Sequence, residues 1–264
     1  MANVSEVDGG SSVDSDMPLF VIGEVSGAYR LNDQWTLGAE GSVRKDWFDD
    51  GCSDCFGDDE DPDYQFQGTA HALYNVNVDT RIGTFFQYAD TRPQSGDSDE
   101  AYNLYMVGIE GQHFIAPDFV VFAQAGFGDK LRDGEDDGEG FVEGYAFRTG
   151  GAYFWDEHTT IEGEIEFGGS SQYIDSSDPG RHFAVGLSVS HRIMKEHPVF
   201  LTTGMGYNYS SGTDEGEQVE ELQFGIGLRF LFGATNEQDR WRRGVAIGAP
   251  KTPVRGSAWT EYID

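Results

Sequence analysis

The stretch "TIEGEIEFGG", residues 160–169, sets three glutamates on one side of a short segment and apolar residues on the other. With a period of two residues, Glu162, Glu164 and Glu166 share one face. The opposite face carries Ile161, Gly163, Ile165 and Phe167. This pattern is typical of a β-strand with one polar and one apolar side, so the fold depends on which side points inward.

Composition limits the classes of function. The chain has 264 residues and a formal charge of −30, from 47 acidic and 17 basic residues, which argues against binding of nucleic acid phosphates. No apolar run approaches the roughly 18 residues of a transmembrane helix. Strands that cross a membrane alternate apolar with polar residues, so the lack of such a run does not argue against them. The first residues lack the basic and apolar regions of a signal peptide.

The same alternation recurs along nearly the whole chain and predicts eleven strands. Many of them run for ten or more residues, which is longer than is usual in soluble sheets and fits a tilted strand that crosses a bilayer. The predicted strands are 19–30, 35–47, 64–76, 81–89, 102–114, 119–128, 141–154, 159–169, 182–193, 198–209 and 221–232.

The connections between these strands alternate between short and long. Short ones lie at 31–34, 77–80, 116–118, 156–158 and 194–197, and long ones at 48–63, 90–101, 129–140, 170–181 and 210–220. The long connections are acidic, so one end of the molecule is predicted to be long-looped and negatively charged and the other end tight.

Two folds fit alternating strands. In a soluble β-sandwich the apolar faces form the core. In a transmembrane barrel they face lipid, and the glutamates line a polar lumen. Glycine on the polar faces and aromatic residues near the strand ends favour the barrel. These glycines include Gly38, Gly83, Gly126, Gly150, Gly186, Gly204, Gly225 and Gly227, and the aromatics include Tyr29, Trp35, Tyr74, Phe127 and Phe167.

On these features the chain resembles the outer-membrane β-barrel proteins of Gram-negative bacteria, over roughly residues 18–232. The segment "QFGIGLRFLF", 223–232, is similar to the final-strand signal that the barrel assembly machinery recognises, through Gln223, Gly225, Leu228 and Phe230. In such barrels the final strand often ends the chain, whereas here 32 residues follow Phe232. The resemblance implies an outer-membrane location, contact with membrane lipid and lipopolysaccharide, and that assembly machinery as partner.

The fold class predicted is all-β, a transmembrane antiparallel up-and-down β-barrel of about 12 strands. Because eleven strands are readable and bacterial barrels have even numbers, we expect residues 1–17 to be an acidic external loop or a disordered N-terminus that follows a strand upstream of this sequence. An odd-stranded barrel, or a twelfth strand from the tail, is the alternative. The barrel is predicted over 18–233, and 234–264 as a periplasmic tail, disordered or folded into the barrel mouth.

The polar faces place charged residues in the predicted lumen. Two interpretations remain open: a narrow passive channel for ions or small solutes with a charged constriction, or a structural barrel whose lumen an Arg–Glu network fills. The predicted lumen charges are Glu24, Arg30, Glu40, Arg44, Arg81, Glu110, Arg148, Glu162, Glu164, Glu166, Arg192 and Arg229.

Cys52 and Cys55 lie three residues apart in an acidic loop. No second pair of ligands for zinc is present, so a small disulfide is predicted, with two free thiols as the alternative. A loop at 132–140 is a weak calcium candidate because carboxylates suit a hard cation, although its spacing matches no known calcium loop. Its acidic residues are Asp133, Glu135, Asp136, Asp137 and Glu139.

Enzymatic function is not predicted. Membrane-barrel lipid hydrolases carry a His-x-Ser element, and none of the six histidines has serine two residues later. Asp156 and His158 fall in a short turn rather than at the long-looped rim where a barrel protease would need them. The sequence predicts no catalytic residue and no cofactor.

Overall fold

A computed structural model describes residues 2–7, 19–47, 64–91, 102–132, 142–170, 181–211, 218–231, 234–243 and 247. These residues form twelve strands and one helix. The strands are β1 (Ala2–Val7), β2 (Leu19–Arg30), β3 (Trp35–Trp47), β4 (Tyr64–Asn75), β5 (Thr80–Thr91), β6 (Tyr102–Ala116), β7 (Phe119–Arg132), β8 (Val142–Phe154), β9 (Thr159–Ser170), β10 (Arg181–Arg192), β11 (Val199–Ser211) and β12 (Gln218–Phe230). The helix is α1 (Glu237–Arg243). No helix in the described ranges is long and apolar enough to cross a membrane.

The strands form one closed antiparallel barrel in which neighbours in sequence are neighbours in space. All eleven predicted strands are present, with limits within four residues of those expected. The alternating pattern was sufficient for this because each strand has one face in a different environment from the other. The up-and-down barrel predicted from the sequence is confirmed.

Residues 2–7 differ from the prediction. They were expected to lie in an external loop, and they instead form β1, which pairs with β12 from Ala2–Phe224 to Val7–Val219. Within the described residues it also pairs with β2, between Ala2 and Leu19. The prediction was wrong here because six residues are too few for alternation to stand out, whereas pairing with the edge of β12 satisfies backbone groups that lipid cannot.

The apolar face of each strand points outward. Val25 is 74% exposed, Ile109 66% and Ile226 70%, and each is flanked in sequence by residues that face the lumen. An outer surface of this kind is stable only against hydrocarbon. The soluble sandwich is therefore excluded, and Glu162, Glu164 and Glu166 face the inside of the barrel.

Three of the short turns share one hydrogen-bond arrangement. In each of them a side-chain oxygen accepts two backbone N–H groups that follow it: Asn32 from Gln34 and Trp35, Asn77 from Asp79 and Thr80, and Asp156 from His158 and Thr159. Asparagine and aspartate favour such turns for this reason. The turns hold the short-turn end of the barrel tight.

The turn at Asp156 predicts a small acid sensitivity. The hydrogen bond from the His158 backbone N–H is the main cause that lowers the pKa of Asp156 from 3.8. A carboxyl whose pKa is lowered in the folded state stabilises the fold above its unfolded pKa, and that contribution is lost as pH falls through the folded pKa.

We therefore expect Asp156→Asn to lose less stability than the parent protein on acidification from about pH 5 to about pH 2. Urea unfolding of the barrel in detergent at each pH measures this. The matched control is Asn77→Asp, which places a carboxyl in an equivalent turn and should gain acid sensitivity. Equal pH profiles for the parent and both variants would contradict the assignment.

Candidate functional site in the barrel lumen

One half of the lumen, lined by β4 to β8, is filled with side chains. Its apolar residues are large and almost completely buried, and they close this side of the interior to water. They are Leu73, Phe85, Met106, Phe114, Phe122 and Phe154, all between 0% and 6% exposed. Space for a solute is therefore confined to the other half.

A buried polar network crosses the filled half. His71 Nδ1 lies 2.9 Å from Glu110 Oε1, and Gln124 Nε2 donates to the other carboxylate oxygen of Glu110 at 3.1 Å. Arg148 donates to Gln124 Oε1 at 3.2 Å and pairs with Glu164 through two nitrogens. These five residues come from β4, β6, β7, β8 and β9, so the network ties five strands together across the interior.

The other half of the lumen, along β10 to β12, β2 and β3, is open. A cavity of about 200 Å³ lies there, and seven of the residues that line it on these strands are small. The small residues are Ser26, Ala184, Gly186, Ser188, Gly204, Gly206 and Gly225. Because these side chains extend little into the interior, the cavity follows this wall of the barrel.

The charges around the cavity have an acidic excess. Among its lining residues, carboxylates outnumber guanidinium groups by five to three. The carboxylates are Glu24, Glu40, Glu162, Glu164 and Glu166, and the guanidinium groups are Arg148, Arg229 and Arg240. Low-dielectric walls strengthen the field of such an excess and raise the local concentration of cations.

The C-terminal segment enters the barrel at the short-turn end. Trp241 of α1 is 1% exposed and Ile247 2%, and both belong to a cluster with the lumen residues Phe114, Phe122 and Phe154. The rings of Trp241 and Phe122 lie 5.9 Å apart between centroids. The described part of the C-terminal segment therefore packs against lumen residues of the barrel.

Barrel side chains also bind the backbone of this segment. Gln112 Nε2 donates to the carbonyl oxygen of Trp241 at 3.1 Å, and Arg148 Nη1 donates to that of Ile247 at 2.8 Å. Arg81 donates to the carbonyl oxygens of Trp241 and Arg242. The last carbonyls of a helix have no partner within the helix, and here the lumen wall supplies donors for them.

A cluster of four charges, which we call the latch, joins α1 to the barrel. It consists of Glu162 on β9, Arg229 on β12, and Glu237 and Arg240 on α1. Arg240 lies 3.0 Å from Glu162, and Arg229 lies 3.0 Å from Glu237 and 3.4 Å from Glu162. Arg240 also pairs with Glu237 within the helix. Each charge therefore has a partner of opposite sign.

The predicted lumen charges take several different positions. Glu110 and Arg148 belong to the buried network, Arg81 binds the C-terminal segment, and Arg44 lies half-buried on β3. Arg30 and Arg192 donate to carbonyl groups of their own turns, so they mark the rim. Glu24, Glu40, Glu162, Glu164, Glu166 and Arg229 line the cavity.

Other predicted features lie outside the described residues or on the outer wall. The Cys52–Cys55 pair and the calcium candidate Asp133, Glu135, Asp136, Asp137 and Glu139 fall outside the described ranges. On β12, Leu228 and Phe230 are exposed on the outer face, and Gln223 is buried in the lumen.

Sequence reasoning missed His71, Gln124 and Arg240; the only signal for Arg240 was the basic run "RWRR" near the end of an acidic chain.

A closed barrel with an apolar outside and a charged inside satisfies every backbone group while its outer surface faces lipid. The described part of the chain therefore forms a transmembrane β-barrel. No model of a protein family matches the sequence, and no curated protein matches it.

Several solved structures are similar in fold. The NanC porin is 8% identical, with a TM-score of 0.49 and coverage of 88% of this chain and 98% of the other. The KdgM porin in complex with disordered oligogalacturonate is 13% identical, with a TM-score of 0.46 and coverage of 88% and 97%. The CymD monoaromatic hydrocarbon channel is 9% identical, with a TM-score of 0.49 and coverage of 89% and 87%. At these identities the likeness concerns the fold alone.

Proposed function

We propose that the protein is a narrow, passive channel that favours small cations over anions and carries out no chemistry on them. The supporting observation is the acidic excess around the open cavity, five carboxylates against three guanidinium groups. Charged side chains around a constriction select ions by sign. The filled half of the lumen narrows the path, so bulky solutes are excluded by size.

The proposal predicts that the two carboxylates of β2 and β3 set the sign of selectivity. Glu24→Lys with Glu40→Lys reverses the balance at the cavity from five to three into three to five. Each carboxylate is worth about 1 kcal/mol to a cation about 4 Å away in water, so we expect the potassium-to-chloride permeability ratio to fall about fivefold or more. Reversal potentials across a planar bilayer under a KCl gradient measure the ratio.

The matched control changes the same number of charges outside the lumen. Glu157→Lys with Glu196→Lys alters two exposed residues of the short turns and should leave the ratio near the parent value. Equal ratios in all three proteins would contradict cation selection by the cavity. A folded barrel that carries no current in any form would instead support the second candidate, a structural barrel, which the buried network from His71 to Glu164 favours.

We also infer that the barrel assembly machinery recognises β12. The strand carries the polar, glycine and apolar positions of the predicted signal at Gln223, Gly225, Leu228 and Phe230. Leu228 is 58% exposed and Phe230 56%, on the outer face of the barrel. An outward-facing pair of this kind is accessible from the membrane during insertion, which supports the inference.

A further inference from the structure

Helix α1 occupies the position at which a channel through this barrel would open at the short-turn end. An α-helix with its side chains is about 10–12 Å wide. Barrels of about 8 strands are filled by their own side chains, and open channels belong to barrels of about 16 strands. A barrel of twelve strands lies between these sizes, so a body as wide as one helix obstructs its lumen.

The helix is attached around the barrel wall rather than at one side. Its contacts reach β5 through Arg81, β6 through Gln112 and β12 through Arg229. Arg242 adds a pair with Asp79 at 3.4 Å in the β4–β5 turn, and its guanidinium lies 4.0 Å from the ring centroid of Phe114. Attachment to several strands holds the helix across the opening.

The latch is held by charge, so a change of sign at one of its residues can break it. Glu237 is 1% exposed, so its buried carboxylate depends on Arg229 and Arg240 for compensation of its charge. Arg240→Glu would place a carboxylate against Glu162 and Glu237 and so bring three carboxylates together. Repulsion among them favours a position of the helix outside the lumen.

We propose that α1 is a plug carried by the chain itself, that it forms the limiting constriction at the short-turn end, and that Glu162, Arg229, Glu237 and Arg240 latch it in place. This inference rests on the proposed channel function. Release of the latch opens the full width of the unfilled half of the lumen. While the latch holds α1 in the mouth, the helix limits the conductance more than the strand walls do.

The test compares single-channel conductance of the full-length parent protein with that of Arg240→Glu. We expect a rise of about threefold or more in the variant, since a body as wide as a helix leaves the path. The control is Arg30→Glu, which makes the same change of charge at the same rim, where Arg30 contacts its own turn. Conductance in Arg240→Glu equal to that of the parent and the control would overturn the plug. Glu162→Gln, a milder change in the latch, replaces Arg240→Glu if that variant does not fold.

Limited trypsin digestion of the native barrel tests the seating of α1 without any current. The bond after Arg242 should be protected in the parent protein and in Arg30→Glu, and cleaved in Arg240→Glu, as read by mass spectrometry. If the native parent were cleaved after Arg242 as fast as the boiled protein, the proposal that α1 is a plug would be contradicted. Absence of current from every protein would overturn the proposed channel, while the digestion still decides where the helix sits.

Discussion

Replacing Gly108 with valine is expected to prevent formation of a stable barrel. A Cβ atom at Gly108 would lie 2.4 Å from the carbonyl oxygen of Ala125 and 2.4 Å from the ring of Phe85. The first neighbour is backbone and the second is a ring only 2% exposed, so neither moves easily. Overpacking of a core costs about 1–3 kcal/mol or more, and valine at this position collides twice.

The same ring explains why this site is so restrictive. Phe85 also lies 2.9 Å from the Cβ position of Gly126, the residue that pairs with Gly108 across β6 and β7. The ring therefore packs over glycines of the next two strands, an arrangement that any side chain at either position would displace. Close approach of this kind is a main reason for glycine within a strand.

The measurement is the fraction of refolded protein that migrates as a compact band before boiling. Gly227→Val is the matched control, because Gly227 also faces the lumen and an added Cβ there meets nothing within 4 Å. We expect Gly227→Val to fold like the parent and Gly108→Val to give little or no compact band. Similar fractions of compact band for the two variants would show that the barrel accommodates a side chain at Gly108, and would contradict the prediction.

Arg148→Ala is the second substitution with a large expected effect. Arg148 is 4% exposed and bonds to Glu164, to Gln124 and to the carbonyl oxygen of Ile247. Its guanidinium also lies 5.1 Å from the ring centroid of Phe122. Removal of one partner from a buried ion pair costs about 3–5 kcal/mol, so we expect a loss of that size in the free energy of unfolding.

Urea titration of the barrel in lipid vesicles measures this loss. Arg192→Ala is the control, since Arg192 donates to the carbonyl groups of Met194 and Lys195 within its own turn and should cost less than about 1 kcal/mol. Arg148→Lys keeps the charge but loses the planar guanidinium group with its several donors. Its loss in the free energy of unfolding should lie between those of Arg148→Ala and Arg192→Ala. Equal stabilities for Arg148→Ala and Arg192→Ala would show that the buried network contributes little.

The sequence predicted more about the walls of the barrel than about its ends. Most of the eleven long strands have a periodic signal that repeats over ten or more residues, as in 159–169. The strand Ala2–Val7 has no such length, and it became a strand because the edge of β12 needed a partner. The turns were predicted in part. Asn32, Asn77 and Asp156 are recognisable as turn residues from the sequence, but the hydrogen-bond arrangement that they share is visible only in the structure.

The sequence by itself determined that the chain forms long antiparallel strands with glutamates on one face, because a period of two is a local property that neighbouring residues carry. Only the tertiary structure decided what those glutamates contact. Arg148 and Ile247 lie 99 residues apart in sequence, and Arg81 and Trp241 lie 160 apart. Which half of the lumen is filled, and that α1 occupies its mouth, depend on the closure of the barrel, since closure brings side chains from distant strands to a common interior.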